Sequence, residues 1–233
     1  EHLNGLNYLR YGLGLYIVLY HTMHYTILPS WINKITGMGF FATSSFFILS
    51  GFILSYVYLS NNNTPYVKMK ETKKSFLIKR LANLYPIHIF SLVFTLIVLT
   101  LLPLFFPDYT NTTHSIRYVM YDSNNYTPID NLRHWMNNKE LFIAFLMNFS
   151  LLQSLNPYYL TFNAPAWSIS TLFFMYILFP FMSVKLDKIK SPMKAIFIVN
   201  IIYISIPLLF IYFSWYDMPY TGVLNRNPLV RLP

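Results

Sequence analysis

An arginine and a histidine near the start of the chain are the first residues whose spacing could support chemistry. Arg10 and His21 are eleven positions apart, which is almost three turns of an α-helix. Both side chains would therefore share one helix face, separated by about 16 Å along the axis. Histidine titrates near neutral pH and is the most common general base. The spacing alone leaves a structural role equally open, with a snorkelling arginine and a histidine satisfied by a neighbouring helix.

A second histidine raises the question of a metal site. His24 lies one turn after His21, on nearly the same helix face. No acidic residue or cysteine accompanies the two histidines in this helix, and zinc sites normally have three or four protein ligands. We therefore expect no metal site here. The whole chain lacks cysteine, which excludes disulfides, thiolate catalysis and cysteine-ligated metals.

Membrane helices are the elements that must position these residues. Of the 233 residues, 55% are hydrophobic and only 11% are charged, whereas soluble domains carry about 25% charged residues. A membrane-spanning helix needs about 20 apolar residues. Windows without Asp, Glu, Lys or Arg are 11–33, 35–67, 84–106, 141–184 and 195–216. The pattern predicts an all-α, polytopic transmembrane bundle. The expected helices are 6–28, 38–59, 84–106, 141–155, 166–183 and 195–215.

Loop charges predict the orientation of the chain in the membrane. The segment 61–80 has six basic residues against Glu71 alone, and 184–194 is also basic. Basic loops stay on the cytoplasmic side, which explains the net charge of +9 without a nucleic-acid partner. The more acidic segment 107–140 is expected to be an external loop. The N-terminus is then cytoplasmic and Arg10 lies near the inner face.

The segment 141–183 does not fit this orientation as two ordinary crossings. An external loop at 107–140 and a cytoplasmic loop at 184–194 must be joined by an odd number of membrane crossings. The sequence between these loops offers two short hydrophobic stretches, which are separated by a junction rich in Asn and Pro. Either one stretch is re-entrant or the second basic loop breaks the charge rule. Irregular backbone at membrane depth must be satisfied by protein or by a water-filled cavity. We therefore favour a broken, cavity-lining element.

Three further segments have both a structural and a functional interpretation. Six of the seven glycines lie in the first 51 residues, and small residues let membrane helices approach closely. Helices 1 and 2 should therefore be tightly packed neighbours, and packing is the better explanation of Gly51 taken alone. The pair Lys79 and Arg80 could be a snorkelling anchor or a phosphate clamp. Trp167 and Tyr176 could be interfacial belt residues.

Taken together, five segments in order resemble the bacterial acyltransferase-3 family of membrane O-acyltransferases. They are Leu3–His21 with its Arg-x10-His spacing, Phe46–Tyr58, Lys79–Pro86, Ala164–Pro180 and Asn227–Pro233. The resemblance covers essentially the whole chain. Since the family typically has about ten helices, we expect residues 1–233 to be the N-terminal part of its membrane acyltransferase domain.

The resemblance implies transfer of an acyl group, commonly acetyl, from a coenzyme A thioester to a carbohydrate hydroxyl. Its acceptors would be lipopolysaccharide, exopolysaccharide or a related glycan, and its location the bacterial inner membrane. His21 and Arg10 would be the essential pair, and Arg80 would begin the family's Arg-x-x-Arg motif. Acyl-CoA would be a co-substrate, with no permanently bound cofactor. The other partner would be the lipid bilayer.

The same resemblance suggests which residues line the substrate channel. They are Ser50, Gly51, Trp167, Ser168 and Tyr176.

Two positions depart from the family pattern. The second arginine of the Arg-x-x-Arg motif is Asn83 here, so Lys79 is the candidate for the second charge of the donor clamp. The family often has a glutamate after Trp-Ser-x-Ser-x, where this chain has Leu172. The carboxylate is therefore missing from that position.

Two hypotheses from other classes stay open at this point. In a transporter or flippase, Arg10 and His21 would form a substrate or proton relay, but such folds show inverted repeats and the sequence shows none. In a membrane scaffold the polar residues would be structural, and five motifs in family order argue against that.

Overall fold

A computed structural model describes residues 4–23, 29–60, 68–106, 116–120, 133–156, 160–189, 191–213 and 226–231. The chain divides into two compact units, Glu1–Lys70 and Glu71–Pro233. The described residues contain seven α-helices, six of them with twelve or more residues, and two short antiparallel strand pairs. The predicted all-α class is confirmed.

The first unit contains two long helices joined by a short one. Its elements are α1 (Asn4–Met23), α2 (Ser30–Thr36), α3 (Gly39–Tyr58), β1 (Leu59–Ser60) and β2 (Lys68–Met69). Helices α1 and α3 correspond to the predicted helices 1 and 2 and pack against each other. The Tyr16 hydroxyl on α1 donates to the Ile35 carbonyl and accepts from the Met38 N–H at 3.1 Å. This side chain ties α1 to the corner between α2 and α3.

Gly39 makes the close approach between helices that the sequence predicts. A Cβ at Gly39 would lie 2.5 Å from the Tyr20 ring, so any other residue there would force the ring or a helix to shift. A Cβ at Gly12, Gly14 or Gly51 would meet nothing within 4 Å. Helices α1 and α3 are neighbours, as predicted. Their close contact is between the Tyr20 ring and Gly39.

The second unit is built around one long helix. Its helices are α4 (Lys73–Phe105), α5 (Asn138–Phe149), α6 (Trp167–Asp187) and α7 (Pro192–Tyr212). A 3-10 turn (Ala164–Ala166) leads into α6, and β3 (Tyr118–Met120) pairs with β4 (Arg133–Trp135). Phe76 of α4 is fully buried and stacks on Phe179 of α6, with ring centroids 5.5 Å apart. This aromatic contact joins α4 to α6.

Helix α4 begins eleven residues before the predicted start at residue 84, which corrects the expected loop 61–80. The Thr72 side chain caps the helix by accepting from the Ser75 N–H at 3.3 Å. The hydrophobic window marks where hydrocarbon begins, whereas the cap marks where the helix begins. At 33 residues α4 is about 50 Å long, longer than the hydrocarbon core of about 30 Å. Its basic first turns therefore extend beyond the hydrophobic window.

Four helical segments of the described residues are long and apolar enough to cross a membrane. They are Lys34–Tyr58, Lys73–Phe105, Ala164–Leu186 and Pro192–Leu209. Helix α1 has 20 residues, but its asparagines, Arg10 and His21 leave it less apolar than these four. With 12 residues, α5 is about 18 Å long and too short to cross. The segment 141–183 therefore contains one helix, α6, that is long and apolar enough to cross.

The contact of Tyr20 with Gly39 generates a stability prediction. We expect Gly39→Ala to lower the free energy of unfolding by about 1–3 kcal/mol, because overpacking forces a neighbour to move. Gly51→Ala on the same helix is the matched control, since its Cβ enters open space. Alanine there should be neutral or stabilising by up to about 1 kcal/mol. Thermal unfolding of the purified protein in detergent measures both. Equal shifts would contradict the packing argument.

Candidate functional site

Arg10 lies against an aromatic ring within the first unit. The side chain is half-buried, and its guanidinium carbon is 5.5 Å from the centroid of the Phe46 ring on α3. A cation over an aromatic face is stabilised by the ring quadrupole. Phe46 is the first residue of the predicted Phe46–Tyr58 motif. The motifs of α1 and α3 therefore meet at this contact.

His21 is held by a chain of two neighbours. Its ring makes an edge-to-face contact with Tyr20, with centroids 5.1 Å apart, and Tyr20 rests on Gly39 of α3. The His21 side chain itself is exposed on the first unit. Because α1 is unbroken from Asn4–Met23, Arg10 and His21 keep the predicted spacing of about 16 Å. His24 lies outside the described residues.

The next two predicted site residues, on α3, have different surroundings. Ser50 is buried, and its hydroxyl donates to the Phe46 carbonyl at 2.8 Å within the same helix. Its neighbour Gly51 has open space where a side chain would begin. Their place in a substrate channel stays a prediction.

Lys79 and Arg80 of the second unit are adjacent in sequence but have different partners. Lys79 forms an ion pair with Glu71, with Nζ and Oε2 2.5 Å apart. Arg80 is half-buried, and its guanidinium carbon lies 5.7 Å from the Phe76 centroid and 5.9 Å from the Tyr176 centroid. The structure therefore brings together Arg80 and Tyr176, two residues that the sequence assigned separately to donor binding and to the channel.

Glu71 is a residue that the sequence reading counted only as a charge. Two hydrogen bonds lower the pKa of Glu71 below its ordinary value. The larger effect comes from Lys79 and the next from the Ser75 hydroxyl at 2.8 Å. The carboxylate is therefore ionised at neutral pH. Its isolation among six basic residues was the signal that could have identified it.

The start of α6 is a polar junction that fixes Trp167 and Ser168. Ser168 donates to the Pro165 carbonyl at 3.0 Å, which holds the first turn. The Trp167 ring is buried, with the Arg231 guanidinium carbon 5.6 Å from the centroid. Arg231 lies outside the spanning helices, and burial lowers its pKa. Tyr176 is nine residues further along α6, about 13 Å by helix rise, so the predicted channel residues of α6 form two separate groups.

Ser170 anchors the turn after α5 to this junction. Its hydroxyl donates to the Leu151 carbonyl at 2.7 Å and accepts from the Ser154 N–H at 3.2 Å. The Ser154 hydroxyl, 2.6 Å away, must then be the donor to Ser170. Leu151 is buried with a φ of 59°, a left-handed conformation that is costly for leucine. Ser170 supplies the bond that holds this backbone.

A buried histidine lies beside the same turn. His88 is 1% exposed, and its Nε2 lies 2.7 Å from the Asn148 carbonyl oxygen, so Nε2 must carry the proton. The sequence shows it only as a histidine within the charge-free window 84–106. It had no partner motif, so sequence reasoning missed it.

The two departures from the family pattern lie in different environments. Leu172 is buried at 9% exposure, and Asn83 is exposed on α4. A carboxylate at position 172 would need a buried partner. Leucine needs none.

Comparison with known families decides the class of protein. The model of the acyltransferase-3 family, described as an acyltransferase domain, matches residues 3–227, nearly the whole chain. The chain belongs to the acyltransferase-3 family. No curated protein and no solved structure matches it significantly.

Family membership and the apolar helices together indicate an integral membrane acyltransferase. This favours acyl transfer over the transporter hypothesis. The five segments on which the sequence resemblance rests lie on α1, α3, α4 and α6 and in the described segment 226–231.

The junction at the start of α6 generates a second prediction. We expect Ser170→Ala to destabilise the acyltransferase by about 1–3 kcal/mol, because buried groups lose their partner. Ser183→Ala is the matched control, since that hydroxyl only donates to the Phe179 carbonyl of its own helix at 2.7 Å. Thermal unfolding in detergent compares the two. The anchoring role is wrong if Ser170→Ala is no more destabilising than Ser183→Ala.

Proposed function

We propose that this acyltransferase moves an acetyl group from acetyl-CoA to a hydroxyl of a cell-surface carbohydrate. Lipopolysaccharide or exopolysaccharide is the acceptor class, and the bacterial inner membrane, with a cytoplasmic N-terminus, is the location. The proposal rests mainly on helix α1, which is continuous and keeps Arg10 and His21 at a fixed spacing. The chain that carries this helix belongs to the acyltransferase-3 family.

His21 is the proposed general base. Its imidazole removes the proton from the acceptor hydroxyl as that oxygen attacks the thioester carbonyl carbon. The carbon–sulfur bond then breaks, and the leaving thiolate of coenzyme A takes up the proton from the imidazolium. The acetyl ester and free coenzyme A are the products. The lack of cysteine anywhere in the chain favours direct transfer over a thioester intermediate.

Arg10 is assigned to the donor rather than to the reacting atoms. The two positions are about 16 Å apart along the helix axis, so Arg10 and His21 are not expected to contact the same thioester group. Coenzyme A separates its thioester from its phosphates by the pantetheine arm, so a cation far from the base suits the donor's shape. The ring of Phe46 holds the guanidinium carbon at 5.5 Å.

Arg80 and Lys79 are the proposed donor clamp of the second unit. They lie in the first turns of α4, before the charge-free window 84–106, where a water-soluble donor can reach them. Arg80 is already oriented by the rings of Phe76 and Tyr176. A guanidinium with a fixed plane loses little entropy when it binds a phosphate in bidentate fashion.

Replacing His21 tests the proposed base. We expect His21→Ala to reduce acetyl transfer about 10²- to 10⁴-fold, the usual contribution of a positioned base. Release of free coenzyme A and incorporation of labelled acetyl into glycan by membrane vesicles are the readouts. Thr22→Ala is the matched control, since its hydroxyl donates to the Val18 carbonyl at 3.0 Å within α1. Full activity of His21→Ala would rule out the assignment.

Replacing Arg80 tests the donor clamp separately from the base. We expect Arg80→Ala to raise the KM for acetyl-CoA about tenfold or more, because a hydrogen bond to a charged group contributes about 1.5–3 kcal/mol. The turnover number should change less than KM. Lys74→Ala, an exposed cation of the same helix, is the control. An unchanged KM in Arg80→Ala would remove Arg80 from the clamp.

A further inference from the structure

One acidic side chain lies beside the cations assigned to the donor. Glu71 immediately precedes the cap residue of α4, and it is the one carboxylate in the segment 61–80. Its Oε2 accepts from Lys79 Nζ at 2.5 Å and from the Ser75 hydroxyl at 2.8 Å. The carboxylate is largely covered, at 15% exposure, while Lys79 is 58% exposed.

The position of Glu71 at the N-terminus of α4 explains only part of its contacts. A carboxylate near the N-terminus of α4 interacts favourably with the helix dipole, and its bond to Ser75 lies within the first turn. Lys79 is eight residues from Glu71, more than two turns. Capping does not require a partner at that distance. The nearer Lys73 instead lies over the Phe181 ring, with Nζ 3.9 Å from the centroid.

The position of the carboxylate conflicts with phosphate binding at Lys79. Two anions compete for the same ammonium, and an ionised carboxylate repels a phosphate that approaches it. Because most of the Lys79 side chain is exposed and its stem is flexible, the ammonium can turn from one anion to the other. Arg80, fixed on two aromatic rings, has no such freedom.

We propose that Glu71 is a resident counter-anion for Lys79 that the phosphates of the acyl donor displace. This inference rests on the proposed function, which assigns the donor to Lys79 and Arg80. Glu71 then sets the affinity for the donor without touching the reacting atoms. It selects polyphosphorylated thioesters, because a weakly charged ligand does not compete with a carboxylate already in contact.

The test compares Glu71→Gln with wild type on two donors at low ionic strength. With acetyl-CoA, KM should fall about two- to fivefold, the effect of one partly exposed ion pair, while the turnover number stays unchanged. With S-acetyl-N-acetylcysteamine, an uncharged thioester, KM should not change. Salt should reduce the difference between the two enzymes, because it screens exposed charges.

Two further variants distinguish competition between Glu71 and phosphate for Lys79 from a role of Glu71 in positioning Lys79. Lys79→Met should raise KM for acetyl-CoA, because it removes the exchangeable cation and leaves the Glu71 charge without its ion-pair partner. Ser75→Ala keeps the carboxylate charge and removes one hydrogen bond, so it should not lower KM. A rise of KM in Glu71→Gln, or no change, would overturn the proposal.

Calorimetric binding of coenzyme A to the purified protein distinguishes this inference from the proposed function. If wild type binds coenzyme A and Glu71→Gln binds it more tightly, the counter-anion role stands even without measured transfer. If both bind equally, the counter-anion role fails while the donor class survives. Absence of coenzyme A binding to wild type would overturn both.

Discussion

A charged side chain that has neither water nor an opposite charge beside it costs free energy. The rest of the structure depends on how this cost is offset. The chain has 17 Lys and Arg residues but only 8 Asp and Glu, and it has 45 aromatic residues (20 Tyr, 21 Phe and 4 Trp). Four of the described cations lie over aromatic rings: Arg10 over Phe46, Lys73 over Phe181, Arg80 over Phe76 and Tyr176, and Arg231 over Trp167. The rings stabilise cations with their π-faces and need no second buried charge.

The helices could be predicted from the sequence, whereas the contacts between their side chains could not. Charge-free windows identify where helices can lie, so the expected helices correspond to α1, α3, α4, α5, α6 and α7. The start of α4 was misplaced because a cap at Thr72, rather than hydropathy, begins that helix. Spacing likewise identifies Arg10 and His21, but no periodicity indicates that Tyr20 rests on Gly39.

The polar residues of the second unit show a further limit of sequence reasoning. Trp167 and Ser168 were singled out by motif, yet Ser170 carries the anchoring bonds to Leu151 and Ser154. That anchor forms across 19 positions, where a local pattern contains no signal. Buried hydroxyls of this kind hold irregular backbone that hydrocarbon cannot satisfy. The turn after α5 is therefore held by hydrogen bonds to Ser170 of α6.

The two departures from the family pattern fit one electrostatic logic under the proposed function. Without an arginine at position 83 or a carboxylate at position 172, the proposed donor clamp depends on Lys79 and Arg80, with Glu71 as the counter-anion of Lys79. Arg80 is fixed by rings, so it offers constant affinity to an anion. The ammonium of Lys79 is shared with a carboxylate, so its affinity depends on what competes for it. A clamp with one fixed and one exchangeable cation binds a polyanion and releases the spent donor more readily than two fixed cations would.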